Sequence, residues 1–214
     1  MKIEWVDDLS GRSGLVVKET SRFDGAPQIE SFWLDKKPLS LNQDRLAIAV
    51  VLIFAKWSMG SLILPKQVGA LTARELMRHR EPHWIIPEPI DYGPKPIPSG
   101  PGTLYLMQKG KRYEPITSEQ YALPIDYTLT VLDSDEFSGA LSSMREFCVA
   151  SNAFAFQALD LPSRILPLLA VGVLFAEDLR CSTICIDRSQ IGDYQSIESL
   201  RRVLETTGLQ LILV

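Results

Sequence analysis

Four consecutive residues, Asp133-Ser134-Asp135-Glu136, follow the run YTLTVL (127–132), whose alternating apolar residues predict a strand. Two aspartates two apart at the end of a strand can share a Mg2+ ion, or one can attack a phosphoryl group. Ligands gather at the carboxyl ends of strands in parallel sheets, so the position suits chemistry. The same acids equally suit a turn followed by the first turn of a helix beginning near Ser138. Asp7-Asp8 closes the first predicted strand in a similar way.

The pattern of an apolar strand followed by Asp-x-Asp resembles the nucleophile motif of the haloacid dehalogenase-like phosphatases. That resemblance covers only Asp133 to Phe137. It implies a metal-assisted phosphoryl transfer with Asp133 and Asp135 as the acting carboxylates. Phe137 stands where those enzymes usually carry Thr or Val.

The remaining reactive side chains offer less. His79 and His83 have the spacing of a metal pair on one helix face, but Pro82 between them ends the helix first. These are the two histidines of the chain, which leaves no spare imidazole for a general base. Cys181 and Cys185 flank a predicted strand and stand about 13 Å apart along it, too far for a disulfide or a shared metal. With Cys148, they read as small buried hydrophobes. The chain has neither GxxxxGK[ST] nor GxGxxG. Gly69 and Gly192 each follow a strand and precede a helix, where one glycine provides the tight turn or lets the helix start face an anion.

Composition narrows the function classes. A chain of 214 residues can bury a sizeable core, and 46% hydrophobic with 22% charged residues is ordinary for a folded domain. A formal charge of −4 supplies no basic field for phosphates, so non-specific nucleic-acid binding is not expected. Three cysteines form no disulfide framework and point to a reducing, cytoplasmic setting. Met1-Lys2 is followed by IEWVDDLSG, with no apolar signal region. The apolar runs Leu46–Ala55 and Ile165–Ala176 are too short for a spanning helix, which needs about 20 residues.

Those two runs organise the fold. Asp44 to Gly69 reads as an apolar helix, a break at Ser58-Met59-Gly60, a buried strand Leu62-Ile63-Leu64 and a turn. A second copy runs from Ala170 to Gly192. Ala49-Val50 matches Ala170-Val171, Phe54-Ala55 matches Phe175-Ala176, and Ser61 and Ile63 match Ser182 and Ile184. Asn42 or Ser40 caps the first helix. Strands are predicted at 3–6, 15–17, 29–34, 84–86, 104–106, 113–116 and 183–186, with a closing strand over 209–214. Helices are predicted over 71–80, 139–150, 152–159 and 197–206, with Gly208 as a C-cap. Trp33, Trp57 and Trp84 read as core, and Trp5 as partly exposed. Residues 87–101, PEPIDYGPKPIPSGP, hold six prolines and form an extended arm over the surface.

The expected fold is therefore α/β. Two related strand–helix–strand halves, 1–103 and 104–214, arise by internal duplication and pack as a pseudo-twofold unit around the two apolar helices. No catalytic set converges, so the expected function is a non-enzymatic protein-binding or assembly subunit, with a protein partner or a homo-oligomer. Its contact candidates are Pro94, Pro96 and Pro98 on the arm and Leu211 and Leu213 on the last strand, which could pair with another chain if it lies at an edge. No cofactor is expected. The alternative is a small α/β enzyme or nucleotide-binding protein using Asp133 and Asp135, with Mg2+.

Overall fold

Alternating strand patterns and all-round apolar helices need a sheet that can cover the helices from more than one side. The computed structural model, which describes residues 1–79, 84–108, 126–158, 165–190 and 194–214, has this arrangement. It is mixed α/β, with an eleven-stranded sheet and five helices among the described residues. The chain runs β1 (Lys2–Asp7), β2 (Ser13–Glu19), β3 (Ser31–Leu34), α1 (Gln43–Phe54), β4 (Gly60–Gly69), α2 (Ala70–His79) and β5 (Ile85–Asp91). It continues with β6 (Gly102–Gln108), β7 (Asp126–Asp133), β8 (Ala140–Ser142), β9 (Glu146–Ser151), α3 (Ala153–Ala158), α4 (Leu166–Phe175), β10 (Cys181–Ile186), α5 (Tyr194–Glu205) and β11 (Gln210–Leu213).

The strands lie in the order β11-β10-β6-β7-β9-β3-β2-β1-β4-β5, with β8 paired to β9 off this path. In the first half β1, β4 and β5 are parallel, and β2 runs antiparallel between β1 and β3. In the second half β6, β7, β9, β10 and β11 are parallel to one another, and β8 runs antiparallel to β9. The halves meet where β3 pairs antiparallel with β9, Leu34 opposite Ser151. Asn152 reinforces this joint: its Oδ1 accepts from the Trp33 amide at 2.7 Å and its Nδ2 donates to the Ser31 carbonyl at 2.8 Å.

α1 and α4 pack side by side against the buried face of the sheet. Nearly every residue of both is buried, from Arg45 to Phe54 and from Pro167 to Phe175. Phe54 meets Phe156 edge-on at 5.7 Å, and Phe175 meets Phe147 at 4.8 Å. Asn42 caps α1, its side chain accepting from the amides of Asp44 and Arg45.

α2 and α5 lie by opposite edges of the sheet, yet they touch. Thr72 Oγ1 and Thr206 Oγ1 share a hydrogen bond of 3.0 Å, and His79 Nδ1 and Ser199 Oγ share one of 2.7 Å. Laid flat, eight strand spacings would hold these helices about 38 Å apart, whereas packed helices stand about 8–10 Å apart. The sheet must therefore curl around α1 and α4, with α2 and α5 closing the open side. That enclosure lets helices with no polar face exist in water.

Three sequence expectations are corrected. The helix expected over 139–150 is instead β8 and β9. Gly139, at φ +88°, turns the chain, and Glu146-Phe-Cys-Val-Ala-Ser alternates into the middle of the sheet, where ladder bonds outweigh helix propensity. Trp84 is 71% exposed rather than core, because it precedes β5 on the outer face. β5 runs to Asp91, so the start of the proline-rich segment belongs to the sheet as an edge strand, where proline costs no ladder bond. The strand expected over 113–116, together with His83 and Gly192, lies outside the described residues.

Candidate functional site: the cleft at the first turns of α1 and α2

Asp133 sits at the carboxyl end of β7, within the parallel half of the sheet. Its Oδ1 accepts from the Asp135 amide at 3.0 Å, and its carbonyl accepts from the amides of Glu136 and Phe137. This is an aspartate-stabilised turn, and Asp135 faces solvent beside it. Among the described residues, no group of three His, Cys, Asp or Glu side chains is placed to hold a metal ion.

A cleft lined by several polar side chains lies elsewhere. It has a volume of about 760 Å3 and is bounded by the starts of α1 and α2, the end of α5 and the arm from Asp91 to Pro98. It opens at the carboxyl ends of β4 and β5, the general ligand position in a parallel sheet. Asp44, in the first turn of α1, reaches across to the turn before α2, where its Oδ1 accepts from the Gly69 amide at 2.6 Å and its Oδ2 from Thr72 Oγ1 at 3.1 Å. The start of α2 thus faces an anion, as the glycine turn allowed, and the anion is the protein's own carboxylate. A Cβ on Gly69 would stand 2.8 Å from Asp44 Oδ2, so a side chain here would push the carboxylate away from its present position.

Lys95 bridges the cleft. From the arm, its Nζ donates to Gln43 Oε1 at 2.9 Å and to the Gln67 carbonyl at 3.4 Å, and it lies 3.7 Å from Asp44 and 3.5 Å from Asp91. Asp91 also accepts from the Gly93 amide at 2.9 Å; this bond, outweighing burial, and the neighbouring Lys95 hold its carboxyl below the ordinary range. Of the arm candidates, Pro94 and Pro96 are exposed and Pro98 is half-buried. The Pro98 carbonyl, with that of Thr207, accepts from the buried Arg45 guanidinium. In the sequence Asp44 marks only the start of the apolar helix, and Gln43, Asp91 and Lys95 belong to no motif. A lone lysine between prolines was the available signal.

On the last strand, Leu211 is buried and Leu213 half-buried. β11 is an edge strand, and the Leu211 carbonyl accepts from Arg201 Nε at 3.1 Å. At the opposite edge, β5 carries Pro87 and Pro89. Both margins of the sheet are thus partly blocked to a further strand.

Exposed apolar side chains gather on the outer face beside β5. Trp84 is 71% exposed, Met59 53%, Ile86 46% and Ile63 41%. The register brings them together, since Gly60 pairs with Ile85, Ser61 with Ile86 and Ile63 with Glu88. Cys181 and Cys185 are buried free thiols, and burial pushes them up to about 12 and about 11. No helix among the described residues is long and apolar enough to cross a membrane. Comparison of the chain with protein-family models, curated proteins and solved structures finds no match.

Proposed function

We propose that this chain is a non-enzymatic protein-binding or assembly subunit that works through its surface, in the cytoplasm and within a complex. The observation that carries the reading is the group Met59, Ile63, Trp84 and Ile86 on the outer face of β4 and β5. Four large apolar side chains side by side at one sheet margin are the kind of surface a protein partner covers. A tryptophan within the group suits an interface anchor. The partly blocked strand edges favour contact through side chains over strand addition. Free thiols at Cys148, Cys181 and Cys185 support a reducing compartment. The test compares the wild-type chain with Trp84→Ser/Ile86→Lys, by light scattering and by cross-linking in native lysate. The reading expects a wild-type complex or oligomer that the double variant loses. A monodisperse wild-type monomer with the same cross-links in both proteins would end it.

We also infer that the two halves descend from one duplicated unit and pack about a pseudo-twofold axis. In support, each half, leaving β8 aside, orders its strands third-second-first-fourth-fifth, with helices after its third and fourth strands. The matched residues Phe54 and Phe175 each close their helix. The middle strands β2 and β7 run in opposite senses relative to their neighbours, so a duplication would have had to rebuild the connections around them. Superposing residues 45–64 on 166–185 tests the idea. Helices crossing their following strands at unrelated angles would sink it.

The enzymatic alternative rests on Asp133 at a strand's carboxyl end. It requires Asp133→Asn to abolish a Mg2+-dependent activity while the fold stays intact.

A further inference from the structure

We propose that residues Tyr92 to Pro96 form a strap over the 760 Å3 cleft, latched by Lys95 and able to lift while both its ends stay fixed. The ends are anchored in different ways. At one, Asp91 pairs with Gly69 in the sheet. At the other, Ile97 and Pro98 press on Gly208, where an added Cβ would stand 2.6 Å from Ile97 Cγ2 and 2.8 Å from the Pro98 carbonyl oxygen. Arg45, itself 2% exposed, donates to that carbonyl from inside the protein. Further along, Gly100 lies so close to the Arg180 carbonyl that a Cβ would stand 2.0 Å from its oxygen.

Between these anchors, the polar ties from the strap to α1 and β4 among the described residues run through Lys95. Tyr92, Gly93, Pro94 and Pro96 are exposed. The Lys95 ammonium crosses to Gln43 and Asp44 on α1 and to the Gln67 carbonyl on β4, while Asp91 steadies it from its own side. These are charge-assisted contacts near solvent, which salt weakens, unlike the apolar and backbone packing at the ends. Pro94 and Pro96 stiffen the flanks of the lysine, so losing one ammonium frees the strap as a unit. The cleft would then open from the arm side with the sheet and α1 undisturbed.

Limited chymotrypsin digestion tests this, because Tyr92 is 82% exposed and its bond is cut only when the surrounding segment lifts into the protease. Cleavage after Phe23, 66% exposed on a separate loop, is the internal reference. Lys95→Met keeps the stem and removes the charge, and should raise the Tyr92-to-Phe23 cleavage ratio about tenfold. In the wild-type chain the ratio should climb as NaCl is raised to about 1 M, and in Lys95→Met it should stay flat. An unchanged ratio in Lys95→Met would overturn the latch. So would equal acceleration at both sites, which would mean that the lysine supports the whole fold rather than the strap.

Discussion

The Asp44 carboxylate accepts the Gly69 amide at 2.6 Å, so an acid in the first turn of one helix serves the start of the next. A crossover strand of ten residues separates α1 from α2, and this contact fixes how the strand returns. Asp44→Ala removes the acceptor for both Gly69 and Thr72 and should cost about 2 kcal/mol, the ordinary range for hydrogen bonds to a charged group. In a urea titration the midpoint should fall with the slope unchanged.

Asp24 gives a pH-dependent counterpart. Its carboxylate is fully buried, 2.9 Å from the Met1 ammonium. Burial pushes the carboxyl up, but hydrogen bonds from the Met59 amide, the Met1 ammonium and Ser21 outweigh it and bring it to about 2. A folded value below the ordinary 3.8 means that its stabilising effect is whole above about pH 3.8 and disappears as pH falls toward 2. The size is on the order of 2 kcal/mol. Thermal melts of wild type and Asp24→Asn should differ at pH 7 and converge near pH 2. A gap that persists unchanged at the acid end would rule out the ionic origin.

Phe54 and Phe175 test the enclosed pair of helices. Each is at most 2% exposed and packed against another ring. Either alanine variant should lose roughly 3–5 kcal/mol in urea. A variant as stable as the wild type would mean that the curl of the sheet does not depend on its contents.

Thiol chemistry should separate the cysteines. Cys181 and Cys185 are at most 4% exposed and held protonated far above neutral pH, whereas Cys148 is half-buried. Brief iodoacetamide treatment at pH 8 should add one label to the native chain, at Cys148, and three after denaturation. Intact-mass spectra read the count, and peptide mapping reads the site.

What the sequence disclosed follows from which forces are local. The apolar helices were legible because their composition leaves them no solvent face, and Asn42 and Gly208, the latter at φ +72°, are local capping signals. β9 was missed because ALSSMREFCVA carries good helix formers, and its strand state comes from partners on both sides. The outward turn of Trp84 depends on the strand register, which one residue of slip would reverse. The cleft was invisible for a related reason. Gln43, Asp44, Gln67, Asp91 and Lys95 have no motif spacing and converge only through the crossovers of β4 and the return of the arm.

Pro87 and Pro89 along one rim and the Arg201 side chain on the other act as stoppers. A molecule capped in this way resists growing end to end into fibres, even though its sheet is wide and much of it apolar. A further chain could add to either rim only by displacing these side chains or pairing around the prolines, so contact with another molecule would fall to the side chains on the faces of the sheet.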